Sequence, residues 1–154
     1  MEAFEIERKF LVKKLPEDLE KYECRQLEQG YLCTEPVVRI RRSDDTYTLT
    51  YKGKGLLVRE EYNLPLTKEA YEHLKPKADG VLITKKRYKM PYQNYMIELD
   101  IFEGELAPLQ LAEVEFPTKE EAEAFEAPEW FGEDVTFSGQ YQNSSLSRRH
   151  IAKE

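Results

Sequence analysis

Cysteine is scarce: only Cys24 and Cys33 occur among 154 residues, and their spacing is neither CxxC nor that of a disulfide framework. This argues against a disulfide-stapled secreted domain and fits a reducing cytoplasm. Histidine is equally scarce, and neither His73 nor His150 falls on a segment that reads as a strand, which argues against a zinc site. There is no basic surplus. The 23 Lys+Arg stand against 30 Asp+Glu for a net charge of −7, so a whole-chain basic field for nucleic acid is excluded. Any polyanion must be met locally or through metal ions. No apolar run approaches a membrane span, and the N-terminus enters a charged stretch almost at once, leaving no room for a signal peptide. Repeats, linkers and low-complexity segments are missing too, and residues 1–154 read as one domain with a sizeable core.

What is present is period-two alternation. In Phe4–Val12, Phe4, Ile6, Phe10 and Val12 share one face, interrupted only by Arg8, and Glu5, Glu7 and Lys9 share the other. Further strands are expected over 25–34, 37–42, 46–52, 57–64, 81–90, 95–102 and 109–116. Short helices are expected at 67–74, with Thr67 as N-cap, and from a Thr118–Glu121 capping box to about Phe125. Residues 127–139 read as an irregular aromatic loop, and 140–152 as a closing helix. Eight strands with short connections suit a mainly β (α+β) fold, an antiparallel barrel with a few helices outside it and at the C-terminus.

The unusual feature is the polar face. Its acids are Glu5, Glu7, Glu61, Glu98, Asp100, Glu113 and Glu115. Its bases are Lys9, Arg39, Arg41, Lys52, Arg59, Lys85 and Arg87. Either helices pack inside and these charges face water, or helices pack outside and the charges line the lumen. The helical segments are few and short, which favours a charged lumen. Such a lumen needs mutual pairing, metals or a charged ligand. Clustered hard oxygen ligands suit Mg²⁺ or Mn²⁺, with two ions expected. Lys9, Arg39, Arg41, Lys52, Lys85 and Arg87, with Arg59 in addition, are expected to hold phosphate oxygens, which arginine binds bidentately.

These residues carry a resemblance. Glu5-x-Glu7-x-Lys9 is similar to the ExExK signature of the CYTH domain, the triphosphate tunnel metalloenzyme superfamily. Arg39-x-Arg41, Lys52, Lys85-x-Arg87, Glu98-Leu99-Asp100 and Glu113-Val114-Glu115 follow in that family's order over most of the chain. The resemblance, closest to the short bacterial-type members, implies an eight-stranded tunnel, Mg²⁺ or Mn²⁺ dependence and a substrate ending in a triphosphate. Two positions depart from the pattern: Asn63, where a second acid often follows Glu61, and Ser144, where some relatives carry a basic residue.

The expected function is a metal-dependent triphosphatase acting on tripolyphosphate or a small triphosphate through attack by water. A class IV-type adenylate cyclase and a non-catalytic polyphosphate-binding barrel are the alternatives. Lys9 is expected to help deprotonate the water, with Tyr31 as a second proton acceptor if it faces inward beside Lys9. Partners are confined to the small substrate, with no nucleic acid and no membrane, and a homodimer is open. Gly53-Lys54-Gly55 reads as a turn rather than a phosphate loop, because no GxxxxGK[ST] follows a strand. Trp130 and Phe131 read as outer packing, with a nucleobase platform as the alternative. Arg148, Arg149 and His150 read as a solvated helix end.

Overall fold

The computed structural model describes residues 4–146. The alternating segments form Phe4–Val12 (β1), Glu23–Thr34 (β2), Val37–Ser43 (β3), Thr46–Lys52 (β4), Val58–Leu66 (β5), Asp79–Tyr92 (β6), Tyr95–Phe102 (β7) and Gln110–Glu115 (β8). Every pairing is antiparallel, in the order β5-β4-β3-β2-β6-β7-β8-β1, and Phe4–Ile6 of β1 pair back on β5 through Glu60, Arg59 and Val58. Eight strands therefore close a barrel, as expected from the alternation. Gly55 makes the turn into β5: its φ is +133°, and a Cβ there would lie 2.1 Å from the Val58 carbonyl oxygen. No described helix is long and apolar enough to cross a membrane.

The loop expected over 127–139 is in part a strand. Phe131–Asp134 forms β9 on the edge of β1 that β5 leaves free, with Phe10 opposite Asp134 and Val12 opposite Phe131. Beyond it, Val135 N donates to the Lys9 carbonyl (2.8 Å) and Lys9 N donates to Thr136 Oγ1 (3.0 Å). The short apolar content of β9 hid it from periodicity; its backbone partners come from the opposite end of the chain.

Helices lie outside the barrel wall. Lys68–Leu74 (α1) starts where Thr67 Oγ1 accepts from Ala70 N, and Lys119–Ala124 (α2) starts where Thr118 Oγ1 accepts from Glu121 N. The outward residues Phe10, Met90, Ile97, Leu99, Ala112 and Phe116 pack beneath α2 and β9 against Ala122, Phe125 and Phe131. Arg8, the odd residue of that apolar face, ties this layer down. It donates to the Ala122 and Phe125 carbonyls at the end of α2, pairs with Asp134 (2.7 Å), and its guanidinium lies 4.9 Å from the Phe10 ring centre.

The opposite faces point into the lumen, where Lys85 and Asp100 have no exposed surface. This rules out the arrangement with helices inside and charges in water. The lumen is apolar at one end. Tyr31, Val37, Ile83, Phe102 and Leu111 cluster there with Val135 and with Leu146 of Asn143–Leu146 (α3). That end of the barrel is therefore filled, leaving a cup. The remainder of the expected closing helix, with Arg148, Arg149 and His150, lies outside the described residues, as does the side chain of Ser144.

Phe131 lies 4.7 Å from Phe10 between ring centres and is 4% exposed, whereas nearby Phe137 is 65% exposed. Phe131→Ala should lower unfolding free energy by about 3–5 kcal/mol, and Phe137→Ala should leave it within about 0.5 kcal/mol. Urea titration of the two variants measures both values.

Candidate active site

Barrel order, unlike sequence order, sorts the charges by sign. β7, β8 and β1 are neighbours and bring Glu98, Glu113, Glu115, Glu5 and Glu7 onto one arc of wall. β3, β4 and β5 are neighbours on the other side of the closure and bring Arg39, Arg41, Lys52 and Arg59. Lys9, Arg87, Glu61 and Tyr31 complete the expected residues that line the cavity, whose volume is about 190 Å³. Lys85 and Asp100 do not line it. They sit buried in the wall, so two of the expected site residues support the site instead of facing its contents.

Asp100 carries the support. Arg87 grips both its oxygens, Nε on Oδ1 at 2.7 Å and Nη2 on Oδ2 at 2.8 Å, and Lys85 Nζ lies 2.7 Å from Oδ2. Burial favours the neutral acid, but Arg87 and Lys85 outweigh it and hold Asp100 below its ordinary value. For Lys85, burial opposes the charge and Asp100 supports it only in part; with Arg87 and Arg41 adding repulsion, its pKa is pulled down to about 7. Lys85 also donates to Asn143 Oδ1 (3.3 Å), which fastens α3 to the cup.

Lys9 and Lys52 are paired as well. Lys9 Nζ lies 3.4 Å from Glu113 Oε2 and donates to the Tyr141 carbonyl at 2.9 Å. Burial works against its charge, yet Glu113, Glu7 and Tyr31 hold its pKa above the ordinary value. An ammonium held this firmly keeps its proton at neutral pH, which speaks against the expected base role of Lys9. Lys52 Nζ lies 2.6 Å from Glu5 Oε1, at an angle that leaves this buried oxygen without a well-formed hydrogen bond. Glu113 is surrounded: burial is outweighed by Lys9, Arg87, Lys85 and Lys52, which hold it well below the carboxylate range.

Compensation fails on two patches. On the acidic arc, Glu7 stands directly opposite Glu115, a like-charge pair. Burial, then Glu113 and Glu5, push Glu7 well above its ordinary value. Glu115 is pushed up to about 7 by burial and by Glu5, Glu61 and Glu98. On the basic arc, no acid lies within ion-pair distance of Arg39, Arg41 or Arg59 among the described residues. The buried Arg39 Nε has no hydrogen-bond partner. Burial and the neighbouring Arg39 and Arg87 pull Arg41 down to about 9, although a guanidinium keeps its proton at neutral pH.

An acidic patch that raises its own pKa values fits a cation, and arginines without acids fit an anion. Among the described residues no three acids converge into a preformed metal cage. An ion here would be held by one or two carboxylates, with water or ligand oxygens as the rest, the usual state of Mg²⁺. Glu7 and Glu115 lie on the uncompensated patch, with Glu61 and Glu98 beside it; at neighbouring Glu5 burial disfavours the charge, but Lys52 outweighs it and holds the carboxyl below its ordinary value. Asp100 has both oxygens committed to cations.

Several neutral residues that the charge pattern passed over complete the site. Gln29 Oε1 accepts from Arg41 Nε (2.7 Å), and Thr50 Oγ1 accepts from Arg39 Nη2 (3.2 Å) while donating to Asn63 Oδ1. Asn63 thus joins a neutral relay to Arg39 in place of an acid. Period two would have placed Gln29 on the face of Tyr31, and that was the available signal. Tyr31 does face inward, 2% exposed, with Gln29 Nε2 donating to its hydroxyl (3.4 Å).

The two halves differ in what removal of a charge does. Asp100→Asn leaves two buried cations short of a counter-ion and should cost about 3–5 kcal/mol at pH 7. Glu7 has a raised native pKa, so its native form binds an extra proton, and its contribution to stability is present below the unfolded value and lost as pH rises through the native one. Glu7→Gln should therefore narrow the stability difference between pH 5 and pH 8 in metal-free protein. Urea titrations at both pH values test it; a wider gap would contradict the assignment.

Residues 3–150 match the CYTH domain family model. The chain is 40% identical over 148 residues to an inorganic triphosphatase from Nitrosomonas europaea, covering 93% of this chain and 96% of that protein. It is 35% identical over 149 residues to an inorganic triphosphatase from Acetivibrio thermocellus, with 92% of each covered. The crystal structure of an inorganic triphosphatase superposes with a TM-score of 0.70 at 37% identity, covering 93% of both chains. With a charged cup closed by eight strands and a family match running nearly from end to end, this chain belongs to the CYTH domain family.

Proposed function

We propose that this protein is a Mg²⁺- or Mn²⁺-dependent inorganic triphosphatase of the cytoplasm, hydrolysing tripolyphosphate to orthophosphate and pyrophosphate. The observation that carries the reading is the pair of uncompensated patches facing one cavity, arginines Arg39, Arg41 and Arg59 on one arc and Glu7 and Glu115 on the other. The relatives at 40% and 35% identity, both inorganic triphosphatases, support it.

Arg39 and Arg41 would grip phosphate oxygens along one wall, with Arg59 at its edge. Lys9, Lys52 and Arg87, each paired with a carboxylate, would stabilise the negative charge that shifts onto the leaving pyrophosphate. Glu5, Glu7 and Glu115 would hold the metal, with Glu61 and Glu98 as neighbours. A bound Mg²⁺ or Mn²⁺ supplies Lewis acidity, screening phosphate oxygens and making water easier to deprotonate. Tyr31 borders the cavity, where its hydroxyl is positioned by Gln29.

The cavity also speaks to the alternatives. Among the described residues Tyr31 is its single aromatic lining residue, and Phe131 packs outside the barrel. A cyclase must also hold adenine and ribose, and this lining provides no base-stacking platform. A non-catalytic barrel has no need of an acidic patch opposite its phosphate-binding arginines.

Tripolyphosphate with Mg²⁺ in ¹⁸O-labelled water should yield labelled orthophosphate. Glu7→Gln should abolish turnover, and Arg41→Ala should reduce kcat/KM by roughly ten- to a hundred-fold. Cyclic AMP and unlabelled pyrophosphate from ATP, with no orthophosphate, would establish the cyclase reading instead.

A further inference from the structure

We propose that Gln29 is a positioning residue for Arg41, and that its being an amide rather than an acid sets the anion affinity of the cup. This inference rests on the polyphosphate reading above.

Gln29 lies on β2 directly opposite Arg41 of β3 and has no exposed surface. Arg41 can only donate, so the atom facing its Nε must be the amide oxygen, and the amide nitrogen is left for the Tyr31 hydroxyl. Both ends of the amide are used, which fixes its orientation. Engagement at Nε leaves the two terminal nitrogens of the guanidinium for a bidentate grip on an anion.

The choice of a neutral partner is what stands out against the rest of the lumen. Lys9, Lys52, Lys85 and Arg87 each meet a carboxylate. Among the described residues, the side-chain hydrogen bonds of Arg41 and Arg39 go to neutral groups, Gln29 and Thr50. A glutamate at 29 would preserve chain length and the acceptor oxygen, yet it would pair with Arg41 and offset the burial and the repulsion from Arg39 and Arg87 that together pull Arg41 down to about 9. The amide therefore keeps a buried cation short of charge so that a ligand can supply it. Its consequence is an inverse relation: the acid at this position should stabilise the fold and weaken the site.

The test compares the wild type with Gln29→Glu and Gln29→Met by calorimetric titration with tripolyphosphate and with pyrophosphate, thermal unfolding, and KM and kcat for tripolyphosphate. Gln29→Glu should weaken binding of both anions, and raise KM, by roughly ten- to a hundred-fold, with an unfolding midpoint equal to or above wild type. Gln29→Met removes the acceptor without adding charge; it should raise KM with a smaller loss of binding and a lower midpoint. Gln29→Glu binding within twofold of wild type would overturn the proposal. So would equal losses of binding and midpoint in both variants, the pattern of a merely structural residue. If the anion-binding order holds but the wild type hydrolyses no tripolyphosphate, the triphosphatase reading fails and the role of Gln29 stands. A wild type that binds neither anion overturns both.

Discussion

Everything in the cup depends on one buried carboxylate. Asp100 meets Arg87 through two hydrogen bonds and Lys85 through a third contact, with no exposed surface on the acid or on Lys85. Taking ions out of water costs several kcal/mol each, and only close pairing offsets it. At this depth the pairing is complete, and the apolar cluster of Ile83, Phe102 and Leu111 lies alongside, so no solvent is needed there. Elsewhere in the lumen the same requirement is met less fully. The site is the region where it is not met by the protein itself.

Topology decides where the shortfall falls. Glu5 and Glu7 lie near one end of the chain and Glu98, Glu113 and Glu115 toward the other, yet β1, β8 and β7 are consecutive around the barrel. Antiparallel register then sets Glu7 against Glu115 and Glu98 against Glu113. Arg87 and Lys9 reach Glu113 and absorb part of the excess. No cation lies within ion-pair distance of Glu115 among the described residues, so burial and then Glu5, Glu61 and Glu98 push it up to about 7, while at Glu113 the cations outweigh burial and hold it down.

Most of this was legible because a strand that buries one face and charges the other is hard to mistake. The alternations at Phe4–Val12, Thr46–Lys52 and Tyr95–Phe102 give strands with those same bounds. What stayed hidden has physical causes. β9, Phe131–Asp134, is too short to show a period and contains Gly132; its hydrogen bonds depend on β1 being present with a free edge. Gln29, Thr50 and Asn63 carry no charge, so a search for charged faces passes over them, although their hydrogen bonds orient Arg39 and Arg41 of β3. Asp100 could be placed in the lumen from its alternation, but nothing in the sequence separates a carboxylate that holds cations from one that meets a ligand. That difference is depth, which alternation does not encode.

The two unmet patches cannot cancel each other. They sit on different arcs of a hydrogen-bonded wall, and strand registry holds their backbones in place. Moving a β3 guanidinium to Glu115 would break its contact with Gln29 or Thr50 and leave a buried acceptor unsatisfied, a loss of about 1–3 kcal/mol. The barrel therefore preserves a separation of charge that side-chain motion in a looser fold would erase. On the proposed reading, a bare polyphosphate answers only the arginines and adds repulsion against the acidic arc. A polyphosphate that arrives with its divalent cation answers both arcs at once, cation to the carboxylates and anion to the guanidiniums. Binding and neutralisation of the wall would then be the same event, and on that reading a preference for a metal complex would follow from the electrostatics of the wall.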